Sequence, residues 1–357
     1  MAGGRVNTPR DNAITRGIEG VRVWDGTRLT YAFASEADAP TAGLEMGVYA
    51  DYRPLGAAHR AAVELAFAAV ERVTALRFER TDRFEAADLK LVGASNLTEF
   101  GMAGFAQYPA YNPKASEPGG YESFIALDLR SWAVGFDPRT EDGPYLCHLA
   151  LHELGHALGL AHPHDTGNGT TAWTSEAVVE TDDPLDNERF TMMSYEMGGI
   201  DGRSAGPMGH AVTPSAIDIA ALQHMYGANP ATHAGDTTYW LADPPAGPPD
   251  ADGEDGTVTI GGAFYCVWDT GGIDTIGYAG TLSALINLND ATLVRHHPEN
   301  VALVALLEQS GIRARLPEEI ERELMDPRIG AGGFFFASGT ESMAGPSWGV
   351  IRSPRGW

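Results

Sequence analysis

HELGHALGLAH occupies residues 152–162, a pattern of the form H-E-x-x-H-x-x-G-x-x-H. Histidines at i and i+4 project from one face of a helix, so His152 and His156 can reach the same ion at about 2.0–2.1 Å. A third ligand cannot come from the next turn, so the helix must break and the chain must return. Gly159 is the residue able to take up the backbone conformation this needs, and His162 then completes a three-histidine site. Three protein ligands leave the fourth position of zinc to water, which is the arrangement of a catalytic site. Zinc lowers the pKa of such a water from about 15.7 towards about 7. Glu153, adjacent to the first ligand, is placed to act as general base and to carry the proton to a departing amine.

Working outward, Tyr145 to Leu158 contains no proline and only one glycine, Gly155. It sets Leu146, Ala150, Leu154 and Leu158 on one face and predicts the helix that carries the motif. Upstream, RLTYAF (Arg28–Phe33) predicts a first strand. Between about Pro54 and Leu76, the spacing of Val63, Phe67, Val70 and Thr74 predicts an amphipathic helix packed on a sheet. DLKLV (Asp88–Val92) alternates and predicts a second strand, with Gly104–Tyr108 and SFIALDL (Ser123–Leu129) as later ones. Residues 163–190, rich in Gly, Thr, Asp and Asn, read as a long functional loop. A further helix is expected from Thr213-Pro214, capped by Thr213, turning Ile217, Ala220, Ala221 and Met225 inward and ending at Gly227.

The Pro/Gly/Asp-rich stretch Asp243–Gly256 reads as a linker or long loop, followed by short β-type segments at Thr257–Ile260, Ala263–Trp268 and Ser283–Leu288. Val301–Met325 looks helical, with the charge run Glu318–Glu323 as a solvated face. The expected organisation is α+β. It comprises a flexible lead-in or short pro-segment over 1–20, a domain holding the histidine motif over 21–232, a smaller β-rich unit over 233–290, and an unassigned, partly helical remainder over 291–357.

The 48 acids against 24 bases give a formal charge of −24, a surface that repels phosphate backbones and anionic lipid and attracts cations such as calcium. Nucleic acid and membrane are therefore not expected as partners. No stretch approaches the roughly 18 apolar residues of a membrane span, and the N-terminus lacks the apolar core of a secretory signal. Cys147 and Cys266 are the only cysteines, too few for a disulfide framework, and either a bond or two buried thiols fits them.

Beyond the histidines, Pro163 directly follows the third of them, and Met193-Ser194-Tyr195 lies further on. DIAALQHMYGAN (Asp218–Asn229) follows, and LTYAF (Leu29–Phe33) precedes. With these segments the chain resembles the metzincins and, within them, the serralysins, bacterial secreted zinc endopeptidases, over about residues 15–290. The resemblance implies a metzincin-type fold, a twisted mixed sheet with helices, followed by a β-rich, calcium-binding-like unit. It implies a zinc-dependent endopeptidase of broad specificity, an extended polypeptide substrate, an extracellular location and a monomer. Met193 would form the hydrophobic floor under the zinc, and the Tyr195 hydroxyl would swing between zinc and the oxyanion. Gly104–Tyr108 would be the edge strand to which substrate adds.

By the same resemblance His233–Thr238 and Trp268–Asp274 would share a calcium ion, held by His233, Gly235, Asp236, Thr238, Asp269, Gly271, Gly272 and Asp274. Two departures stand out. Of the tandem G-G-x-G-x-D repeats that serralysins carry, only Gly271-Gly272-Ile273-Asp274 resembles one, and residues 291–357 match no known segment. The P-R-C-G cysteine switch of matrixins is absent, so Cys147 is not read as a latency device. Against the endopeptidase stands a non-catalytic metal-binding module with the same fold, which the retained Glu153 and Tyr195 disfavour. A metal-dependent hydrolase of a non-peptide bond is a third reading, and the edge strand disfavours it.

Overall fold

A computed structural model describes residues 2–9, 15–39, 50–111, 120–129, 143–173, 186, 188, 190–195, 210–241, 257–260, 265–278, 288–291, 334–338 and 347–351. Two short strands, β1 (Gly4–Val6) and β2 (Arg22–Trp24), pair antiparallel. Between them Ile18 and Glu19 have no exposed surface. Of the stretch expected to be a lead-in or pro-segment, Val6 is 81% exposed, while Thr15 and Gly17 to Gly20 are buried against the domain. The reason is that Asn7 bonds the buried Glu19 carboxylate and the Gly20 carbonyl, giving this polar stretch partners inside the fold.

RLTYAF forms the expected strand β3 (Arg28–Phe33), followed by β4 (Tyr52–Arg53) and helix α1 (Ala57–Val73). Val63, Phe67 and Val70 are buried, with Phe67 lying 4.5 Å from Tyr31 and 4.4 Å from Phe78, ring centre to ring centre. Next come β5 (Arg77–Arg80), β6 (Leu89–Ala94), β7 (Gly104–Ala106), β8 (Ala110–Tyr111) and β9 (Tyr121–Asp128). The main sheet runs β5-β3-β6-β9-β7, with β4 added to β6 and β8 to β9. β3, β5, β6 and β9 are parallel, and the edge strand β7 is antiparallel to β9. The alternation read into DLKLV does not separate two environments, because every residue of β6 is buried. A central parallel strand is covered on both faces, and there Lys90 is neutralised by Glu122.

The motif helix is α2 (Gly143–Ala157), which packs on α1 and lies against β7 and β9. All four residues of the expected apolar face are buried, but so is the rest of the helix from Leu146 onward, histidines included. Its second face is covered by Met192, Met193 and Ala211. Helix α3 (Ala216–Tyr226) begins later than expected. Its cap is Ser215 rather than Thr213: the Asp218 carboxylate accepts from the Ser215 N–H at 2.8 Å, while Thr213 Oγ1 accepts from the Cys266 N–H. It ends at Gly227, φ +83°, as expected.

The β-rich unit follows as β10 (Thr238–Leu241), β11 (Thr257–Ile260), β12 (Tyr265–Asp269), β13 (Thr275–Tyr278) and β14 (Leu288–Ala291), with β15 (Phe334–Ser338) and β16 (Ser347–Ile351) beyond. β10 lies between β11 and β13, all parallel, and β12-β15-β16-β14 make a second sheet. The linker Asp243–Gly256 and the helix expected over Val301–Met325 lie outside the described residues, as does Ser283–Leu288 except for Leu288. Among the described residues no helix is long and apolar enough to cross a membrane.

Candidate metal centre

Helix α2 stops where the motif requires it to. Leu160 N–H bonds the Gly155 carbonyl and Gly159 N–H the His156 carbonyl, each at 2.9 Å, with Gly159 at φ +105°. This is the paired closure of a left-handed helix end. Trp24 Nε1 donates to the Ala157 carbonyl and Tyr226 Oη to that of Leu158, which removes the unmet acceptors of the last turn. Asn168 fixes the returning chain by donating to the carbonyls of Gly159 and Arg22 and accepting from Arg22 N–H, all at 2.9 Å. His162 is thereby brought back over the helix.

In each of the three histidines Nδ1 faces an acceptor: the Met192 carbonyl for His152 and the Leu160 carbonyl for His156, both at 2.8 Å, and Asp165 Oδ2 for His162 at 2.7 Å. Nδ1 therefore carries the proton, and the Nε2 lone pairs are free. These converge, with His162 Nε2 3.2 Å from that of His152 and 3.0 Å from that of His156. Donors about 2.0–2.1 Å from a tetrahedral zinc stand roughly this far apart, so the residues fit the ion the motif implies. Burial and the neighbouring rings hold His152 well below the usual imidazole range and His156 at about 3, which keeps the donors neutral.

Glu153 is buried, its Oε2 has no hydrogen-bond partner, and burial pushes its carboxyl up to about 8. It lies against Gly104 of the edge strand, where a side chain would overlap the carboxylate. Tyr195 is 50% exposed, with its ring 4.5 Å from that of His162 and 5.7 Å from that of His152. Met193 is fully buried. A Cβ at Gly155 would stand 2.5 Å from its Sδ, so Met193 lies against the helix between His152 and His156. His164 stacks on His162 at 4.9 Å. The sequence reading missed Asp165, which follows the third histidine by three residues and could have been suspected from that spacing.

The segments named for calcium also meet. Gly272 backs onto Gly235 so closely that a Cβ there would stand 2.5 Å from the Gly235 carbonyl, and Gly271 and Gly272 have φ of +154° and +126°. Asp236 accepts from Ile273 N–H, Asp274 from Thr237 N–H, and Asp269 from Gly271 N–H and Tyr239 Oη. His233 is held by the Trp268 carbonyl at φ +51°, and Thr238 begins β10. The carboxylates of Asp236, Asp269 and Asp274 are not among the described groups that bring one oxygen each within 4.8 Å of one another. Cys147 and Cys266 are both buried and free.

Residues 49–183 match the matrixin family of M10 peptidases. The chain is 30% identical over 275 residues to "Metalloprotease AprA" of Pseudomonas entomophila (strain L48), an alignment covering 75% of this chain and 53% of that protein. It is 30% identical over 297 residues to "Metallopeptidase AprA" of Pseudomonas marginalis, covering 79% and 56%. It is 34% identical over 192 residues to "Serralysin B" of Dickeya chrysanthemi, covering 53% and 36%. The chain thus spans about half the length of the AprA relatives. Residues 49–183 thus match a matrixin-type peptidase domain that contains the whole histidine motif, and the chain is similar to AprA metalloproteases and serralysins over a longer stretch.

Proposed function

We propose that this chain is a zinc-dependent endopeptidase acting on extended polypeptide. The observation that carries the reading is the juxtaposition of three bare, converging imidazole nitrogens with the unpartnered Oε2 of Glu153, whose carboxylate rests on β7, the last strand of the sheet among the described residues. His152, His156 and His162 would hold the zinc, which when bound supplies Lewis acidity towards water and the scissile carbonyl. Glu153 accepts the proton of the attacking water and delivers it to the departing amine. A carboxyl raised by burial is suited to both halves of that transfer.

Substrate adds antiparallel to β7. Ala103 C=O and Gln107 N–H bond inward to β9, so the alternation of an antiparallel ladder turns the N–H and C=O groups of Gly104 and Ala106 outward. Main-chain recognition of this kind favours unfolded segments and broad specificity. Tyr195, exposed beside the histidines, lends its hydroxyl to the oxyanion, and Met193 is the apolar floor beneath the rings. The same resemblance assigns calcium to the ring of His233, Gly235, Asp236, Thr238, Asp269, Gly271, Gly272 and Asp274, whose two segments already face one another. An extracellular monomer completes the reading.

The test is hydrolysis of an unfolded protein by the zinc- and calcium-supplemented chain beside Glu153→Ala. Cleavage by the parent, abolished by chelation and reduced in the variant by about 10²–10⁴-fold, is expected. Zinc held at the triad with no cleavage by either protein would leave the non-catalytic module.

A further inference from the structure

One turn upstream of the first zinc ligand, α2 carries a histidine that the proposed reaction does not use. His148 is buried, and its Nδ1 lies 3.2 Å from the Ala211 carbonyl, so Nδ1 carries the proton and the Nε2 lone pair is bare. That lone pair lies 3.5 Å from Glu188 Oε1. On the other side of the same carboxylate, His210 Nδ1 stands 3.0 Å from Oε2 and 3.2 Å from Oε1. All three residues are buried, and one donor atom from each lies within 4.8 Å of the others.

Two facts point beyond a hydrogen-bonded cluster. A bare imidazole nitrogen and a carboxylate oxygen are both acceptors, so a proton or a metal ion must stand between them, and 3.5 Å is long for a proton-bridged pair. A buried carboxylate also needs a matching positive charge, and among the described residues Glu188 receives, besides His148 and His210, the Ala211 N–H at 3.3 Å. The carboxylate stands 3.0–3.5 Å from the two imidazole nitrogens, close to the 3.0–3.2 Å between Nε2 atoms in the motif triad.

We infer that His148, Glu188 and His210 form a second metal site, for a divalent ion of the zinc class. Two imidazole nitrogens and one carboxylate oxygen suit a borderline cation rather than calcium. The site shares no ligand with the motif triad. His148 and His152 stand on the same helix, their rings 6.0 Å apart. The ion would tie α2 to the segment that leads into Met192-Met193 and to the one that leads into α3, fixing the back of the metal centre. The inference does not rest on endopeptidase activity.

The experiment is zinc content per full-length chain, by elemental analysis after dialysis against metal-free buffer. Two equivalents are expected for the parent and one for His210→Ala. Glu188→Gln, which keeps the volume and the acceptor for Ala211 N–H, should also hold one and answers any folding defect of the first variant. His162→Ala should hold one as well, and the His162→Ala/His210→Ala double variant none. One equivalent in the parent, or two in a correctly folded Glu188→Gln, overturns the site.

Discussion

The carboxylate of Glu153 rests on the backbone of Gly104: a methyl group on that glycine would overlap Oε1, Cδ and Cγ of the acid. The proposed general base and the strand proposed to bind substrate are therefore in direct contact, and the distance between them is set by the absence of a side chain. Gly104→Ala should displace the carboxylate by a fraction of an ångström to an ångström. A misplacement of that order costs about 10²-fold in turnover. Zinc content should be unchanged, since Gly104 touches no ligand. Steady-state kinetics with metal analysis of the same sample checks both statements.

Asp165 should matter through the metal. Its Oδ2 receives the Nδ1 proton of His162, while its Oδ1 receives Gly167 N–H at 2.6 Å, so the carboxylate is itself held in place. That hydrogen bond sets the tautomer and orientation of the only ligand not on α2. Asp165→Ala should weaken zinc binding by about 10–100-fold, read by competition with a chromogenic chelator. Asp165→Asn, which keeps an acceptor without the charge, should fall between.

How much of this was legible before the fold was known depends on distance along the chain. The spacing of His152, His156 and His162 contains the metal centre because one helix and one turn supply all three. Gly159, at φ +105°, is the residue whose identity makes that turn possible. Nothing local marked Gly155, yet its missing Cβ is what lets Met193 seat against the helix. His148, Glu188 and His210 are far apart in sequence, so no spacing rule draws them together. The choice between Thr213 and Ser215 as helix cap turned on Asp218, three residues after Ser215, closing the pair. In β6 the apparent alternation came from Lys90, a charge buried by pairing with Glu122, which no periodicity anticipates.

The two cysteines should be silent. Burial pushes the Cys147 thiol up to about 12 and raises that of Cys266 as well. The reactive form is the thiolate, and a thiol of pKa near 12 holds only about one part in ten thousand of it at pH 8. Neither cysteine should be alkylated at pH 8 in the folded chain, and both should react once it is unfolded in denaturant. Counting alkylated sites by mass spectrometry decides it, and modification of Cys147 in the folded chain would show that α2 opens.

The sharpest test of substrate addition uses the alternation along β7. Gln107 N–H and Ala103 C=O are committed to β9, which places the Phe105 groups in the same ladder and those of Ala106 outside it. Proline removes one N–H, so its effect depends on which side that N–H faces. Ala106→Pro should leave the ladder and the stability of the sheet largely intact while removing one bond to substrate. At about 0.5–1.5 kcal/mol for such a bond, kcat/KM should drop roughly two- to tenfold, chiefly through KM. Phe105→Pro should instead break the pairing with Ala126 and lower the urea midpoint of the whole domain. If both variants lost stability and neither changed KM in its folded form, substrate would not be adding to this edge. The polypeptide would then have to reach Glu153 from the side of Tyr195, the exposed aromatic across the histidines.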